Sequence, residues 1–113
     1  MIYEVFDVVV VPFPFTDRAS NKRRPALVLS DGKKFNKKVD HCVLTMITSS
    51  SNSPWPLDVE INDLDSVGLT SASKVRMKLF TLDERLIIRR AGSAAEQDKK
   101  LIKKAIQQLM NVY

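Results

Sequence analysis

The segment Asp7-Val8-Val9-Val10-Val11-Pro12-Phe13-Pro14-Phe15-Thr16-Asp17 limits what this chain can fold into more than any other. Its four consecutive valines are β-branched and favour strand over helix. Because the apolar run does not alternate, both faces of the strand are expected to be buried in its second half. Pro12 and Pro14 carry no amide donor, so strand pairing should fail there. Residues 4–13 are therefore predicted as a first strand and residues 16–23 as a polar loop. The basic cluster Lys22-Arg23-Arg24 then leads into Pro25-Ala26-Leu27-Val28-Leu29, a second strand ended by Ser30-Asp31-Gly32. A buried strand, a proline-stiffened loop and a second strand with arginines at its mouth make a rigid frame that presents fixed positive charge. Such a frame suits a phosphodiester.

The remaining segments continue the β pattern. Residues 33–40 read as a basic, weakly structured connection. Residues 41–48 read as a third strand, with Val43, Thr45 and Ile47 on one face and Cys42, Leu44, Met46 and Thr48 on the other. A polar loop, 49–56, carries Trp55 between Pro54 and Pro56. Further short strands are expected at 57–61, 74–77 and 86–91. The period then changes. Ser93-Ala94-Ala95-Glu96 has the form of a capping box. Leu101, Ile102, Ala105, Ile106, Leu109 and Met110 follow as one helical stripe, with lysines and glutamines opposite. Five or six short strands and a terminal helix predict a mostly β fold, a small antiparallel barrel closed as one domain over residues 1–113.

Composition narrows the chemistry. The net charge of +5 and pI near 9.5 lean toward a polyanion or an acidic protein partner. One cysteine, Cys42, allows no internal disulfide and fits a reducing, cytoplasmic setting. No secretory signal is evident, and no apolar stretch approaches the roughly 20 residues that span a bilayer. His41 and Cys42 cannot supply the usual zinc ligand set. Gly32, Gly68 and Gly92 stand alone, so there is no glycine-rich phosphate loop. No serine sits in a nucleophile elbow. Asp58, Glu60, Asp63 and Asp65 read as a strand edge and turn rather than a metal cluster. No metal and no cofactor are expected.

What remains is charge, hydroxyls and backbone amides. That set can stabilise a pentavalent phosphorane, and it needs no enzyme nucleophile if the substrate is RNA, whose 2′-OH attacks its own phosphate. Arginine stays ionised and forks onto two phosphate oxygens. Electrostatic stabilisation of developing charge is commonly the largest catalytic contribution. A metal-free ribonuclease fits this inventory; most hydrolases do not.

Taken in order, Asp7 to Asp17 and Arg23-Arg24-Pro25-Ala26-Leu27-Val28-Leu29-Ser30 resemble the MazF/PemK family of toxin endoribonucleases from type II toxin-antitoxin systems. Ile47-Thr48-Ser49, Gly68-Leu69, Ser73-Lys74-Val75-Arg76, Leu79-Phe80-Thr81-Leu82 and Ile88-Arg89-Arg90-Ala91-Gly92 are similar to its later half. The resemblance implies an SH3-like barrel of the CcdB/PemK kind with a C-terminal helix. It also implies a homodimer, metal-independent cleavage of single-stranded RNA, and a cognate acidic antitoxin occupying the RNA groove. Carried over residue by residue, it makes Arg24 the holder of the scissile phosphate, Thr48 a hydroxyl ligand of that phosphate, and Arg76 an assistant. The loops 14–23 and 49–56 would wall the groove, with Phe15, Thr16, Lys22, Arg23, Ser49, Trp55 and Lys78 as RNA contacts.

Two positions depart from the family pattern. Members commonly open the first strand with a glycine, where this chain has Phe6. Some place an aspartate two residues after the later arginine, where this chain has Lys78. Two rival expectations follow. One is a member that binds RNA or an antitoxin without cleaving. The other is a topoisomerase-directed toxin on the same barrel.

Overall fold

The computed structural model describes residues 2–13 and 22–112. Among them, the β-strands are β1 (Asp7–Phe13), β2 (Lys22–Val28), β3 (His41–Ser49), β4 (Val59–Glu60), β5 (Ser73–Asp83) and β6 (Arg89–Ser93). They form one curled sheet in the order β4-β5-β3-β2-β1-β6, with every neighbouring pair antiparallel. The C-terminal helix α2 (Glu96–Met110) packs against one face.

The valine run behaves as its composition predicts. Val8 is fully buried in the cluster beneath α2, with Leu27, Ile47, Val75, Met77, Ile102 and Ala105. Val9 and Val11 are fully buried on the other face, with Ala26, Val28, Cys42, Leu44 and Leu82. One strand thus feeds two cores. Fully burying an aliphatic side chain stabilises by about 1.5–3 kcal/mol, so β1 is the mechanical centre of the molecule. The alternation expected for the third strand also holds, since Cys42 and Leu44 lie in one cluster and Ile47 in the other.

Several local readings differ from the structure. Residues 33–40 are not loosely structured: a π-type turn at Gly32–Asn36 runs into a short helix α1 (Lys37–Val39). Asn36, fully buried, pins this segment by donating from Nδ2 to the Tyr3 and Ser30 carbonyls. The strand expected at 74–77 is the start of a much longer one, because β5 pairs with β3 along nearly its whole length, with an irregularity opposite Thr45/Met46. The capping box at Ser93 does not form. Ser93 ends β6, its hydroxyl donates to the Phe6 carbonyl, and the helix begins at Glu96 after an Ala95 that offers no side-chain cap. Asp98, in the first turn and fully buried, instead accepts the Asn62 and Asp63 amides and so bolts the helix to the strand edge.

Phe6 adopts φ 73°, the left-handed region that glycine occupies most readily. The backbone keeps that conformation with an aromatic side chain in place. Phe6 donates its amide to the Val28 carbonyl, its ring is buried, and Lys99 and Lys103 each stand 5.7 Å from the ring centroid. Gly68 does need to be glycine, since its φ is +72° and a Cβ would lie 2.3 Å from the Ala91 carbonyl oxygen.

Candidate nucleic-acid interface

β1 pairs Val11 with Arg24 and Phe13 with Lys22. Cross-strand partners share a face, so Arg24 and Lys22 project from the face that buries Val11. The β2–β3 ladder closes at Ala26↔Met46. Carried two residues further, its register sets Arg24 across from Thr48. Met46 pairs with Arg76 and Thr48 with Lys74, which brings these two of the three cations of β5 to the same face. By these registers Lys22, Arg24, Thr48, Lys74 and Arg76 fall on one face of the sheet, toward one end and beyond the apolar cluster, although the β2–β3 ladder itself stops at Ala26↔Met46.

The two arginines sit in different surroundings. Arg24 is exposed and lies over the Phe13 ring, 5.3 Å from its centroid. Arg76 has only 14 % of its side chain exposed. It donates from Nε to Asp58 Oδ1 at 3.2 Å, and from Nη2 to Asp58 Oδ2 at 3.1 Å and to the Ser53 carbonyl at 2.6 Å. Lys74 Nζ lies 3.3 Å from Asp58 Oδ2 and donates to the Asn52 carbonyl at 2.7 Å. Burial pushes the Asp58 carboxyl up, but the hydrogen bonds from Arg76, the Trp55 amide and Lys74 outweigh it and hold Asp58 below the ordinary carboxylate range.

Thr48 Oγ1 accepts a hydrogen bond from Asn52 Nδ2 at 2.5 Å. The hydroxyl keeps its own proton for a further acceptor. Trp55 is 40 % exposed, with the Arg76 guanidinium 5.7 Å and the Lys78 ammonium 5.0 Å from its ring. Cation–π attraction of this kind fixes an indole while leaving part of its surface open.

The other expected contacts scatter. Arg23 pairs with Pro12 and Ser49 with Ser73, so both project from the opposite face to Arg24 and Thr48. Ser49 Oγ shares a hydrogen bond with Ser51 Oγ at 2.9 Å. Phe15 and Thr16, with most of the first loop, lie outside the described residues. Sequence reasoning missed Asp58, Asn52 and Lys74. Only the Pro54-Trp55-Pro56 signature hinted that this loop is held in a set shape.

Other chemistry has little to work with. Cys42 is fully buried, and burial, followed by the charges of Glu84 and Asp7, pushes its thiol up to about 11. It is protonated at neutral pH and inert as a nucleophile. His41 Nδ1 is engaged with the Val39 carbonyl at 2.8 Å, well away from Arg24 along β3. Among the described residues, no group of three His, Cys, Asp or Glu side chains is placed to hold a metal ion, and no helix is long and apolar enough to cross a membrane.

Residues 4–110 match the family model for the PemK-like, MazF-like toxin of type II toxin-antitoxin systems. The chain belongs to that family. Its fold agrees. A chain of the MazE–MazF complex from Deinococcus radiodurans superposes with TM-score 0.76 at 19 % identity, over 100 % of this chain and 99 % of the other. An endoribonuclease in complex with its cognate antitoxin, from a Mycobacterial species, gives 0.77 at 16 % identity, over 98 % and 97 %. MazF of D. radiodurans alone gives 0.74 at 20 % identity, over 98 % of each chain. A search of curated protein sequences gave no match. The sheet that carries Arg24 and Thr48 is therefore the MazF-like toxin sheet, including its mostly β architecture and terminal helix.

Proposed function

We propose that this MazF-like toxin is an endoribonuclease that cleaves single-stranded RNA without a metal ion. The observation that supports the reading is that the strand registers put an exposed arginine, Arg24, and a strand-end threonine, Thr48, on one face of the sheet, at an end rich in cations. Arg24 neutralises the phosphorane as the neighbouring 2′-OH attacks, leaving a 2′,3′-cyclic phosphate and a 5′-hydroxyl. Thr48, already accepting from Asn52, donates its proton to a non-bridging oxygen. Arg76 assists with the field of a cation whose fork is already engaged by Asp58. Lys22, Lys78 and Trp55 extend the contact surface on that face, whereas Arg23 and Ser49 project from the other. Lys78 stands where some family members place an aspartate, so the 2′-OH proton leaves to water and the departing 5′-oxygen takes one from water to become the 5′-hydroxyl.

The same charge predicts the partner. A basic groove is blocked most readily by an acidic, partly disordered peptide that folds into it, which is the form expected of the antitoxin. The endoribonuclease–antitoxin complex among the similar structures makes that pairing a natural one here. Dimerisation and a cytoplasmic setting complete the reading.

The test is cleavage of a mixed-sequence single-stranded RNA in EDTA. The expected products appear at the same rate as in magnesium and carry cyclic phosphate ends. A strict requirement for magnesium, or 3′-hydroxyl products, would refute the mechanism. Tight RNA binding with no cleavage over hours would select the non-catalytic alternative.

A further inference from the structure

The loop between β3 and β4 is fastened at one carboxylate. Asp58 Oδ2 accepts the Trp55 amide at 3.0 Å and the Arg76 guanidinium at 3.1 Å, and lies 3.3 Å from the Lys74 ammonium. Asp58 Oδ1 takes the second prong of Arg76. The same two cations reach on to the loop's own carbonyls at Asn52 and Ser53. Leu57, immediately before Asp58, has φ 66°. A bulky residue holds that left-handed conformation only where its surroundings impose it. The backbone closes locally as well, since the Asp58 amide donates to the Trp55 carbonyl at 3.2 Å.

We propose that Asp58 is a positioning residue: by tying the loop to β5 it presets Trp55 as a stacking platform for an unpaired nucleobase. This rests on the RNA reading above. Stacking on an aromatic ring suits any base, because each offers a π-face. A ring already ordered binds more tightly than one that must be ordered on contact. Arg76 and Lys78 flank the indole, and Arg76 is kept there by the Asp58 fork. The carboxylate has a second effect. By offsetting one of the two charges of Arg76 and Lys74 it leaves Arg24, Lys22 and Lys78 as the exposed cations on this face, so the strand is drawn with its phosphates toward them and a base toward Trp55.

Trp55 is the only tryptophan in the chain, so its emission reports on the loop without a label. The experiment compares wild type, Asp58→Asn, Trp55→Leu and the double variant. In RNA-free protein, Asp58→Asn should shift the emission to the red and raise acrylamide quenching about twofold. In steady-state cleavage of a single-stranded oligoribonucleotide, Asp58→Asn should raise KM about tenfold with kcat within about twofold. Trp55→Leu should show the same split, and the double variant should be no worse than either. An unchanged emission and quenching in Asp58→Asn overturns the tether. A shifted emission with unchanged KM overturns the positioning role. A wild-type protein that cleaves no RNA, while Asp58→Asn still shifts the emission, refutes the RNA reading and the platform with it but leaves the tether standing. Should Asp58→Asn fail to fold, Arg76→Lys keeps the charge and loses the fork; the same red shift is expected, and its absence is equally fatal.

Discussion

Arg24 and Arg76 share a sheet face and a residue type, yet they stand in opposite surroundings. Arg24 stands exposed at the mouth of β2 against an aromatic ring. Arg76 is mostly buried, forked onto a carboxylate and holding a loop carbonyl. A guanidinium already satisfied by a carboxylate has little left to give a phosphate, whereas an exposed one has its full charge to offer. The difference teaches that position on a face does not assign a role. The partner that reaches the cation first does.

The largest effect expected from this contrast is in catalysis. Arg24→Ala should slow RNA cleavage by about 10²–10³, the range for removing one charge-stabilising group from a developing anion. Its thermal midpoint should stay at the wild-type value, because the exposed side chain holds no part of the fold. A large fall in midpoint would move Arg24 into the structural class. Arg76→Met should behave in the reverse sense. It leaves Asp58 with two of its three partners, the Trp55 amide and Lys74, and a destabilisation of about 1–3 kcal/mol is expected in urea unfolding, with cleavage reduced by less than about tenfold. A catalytic loss as deep as that of Arg24→Ala would erase the distinction between the two.

A smaller effect should appear with pH. The folded-state pKa of Asp58 is depressed, so its contribution is fully present above the ordinary carboxylate value and is lost as pH falls through the folded one. The groups facing it are Arg76 and Lys74 from β5, with Glu60 close by on β4. The stability gap between wild type and Asp58→Asn should be constant from pH 8 to 5 and shrink only below about pH 4. A gap that closes near neutrality would mean that Asp58 is not charged in the folded protein.

Much of this was legible in the sequence wherever the physics is local. The valine run and the segment from Pro25 gave the first two strands, and the period of 3.6 gave the final helix, but pairing does not fail at Pro12: the ladder continues through Pro12↔Arg23 to Phe13↔Lys22, so Lys22 and Arg23 belong to the second strand rather than to the loop. The failures share a cause. Asp58 read as part of an acidic turn because its partners are on β5, 16 and 18 residues away along the chain. Ser93 looked like a helix cap because Ser-x-x-Glu is a local pattern, but the Phe6 carbonyl, 87 residues distant, claimed its hydroxyl. Asn36 turned a basic stretch into an ordered turn through the Tyr3 carbonyl, 33 residues away. Polar side chains that find remote partners leave no periodic trace. Arg24 was legible as a candidate because Arg24-Pro25-Ala26-Leu27-Val28-Leu29 resembles the family's second strand.

The most direct test is a double-variant cycle on Arg24→Ala and Thr48→Val, read as kcat/KM for single-stranded RNA. If both groups grip one phosphate, the losses are strongly non-additive and the double variant is within about threefold of Arg24→Ala alone. If the two losses multiply, the guanidinium and the hydroxyl act at separate places, and the shared site does not exist.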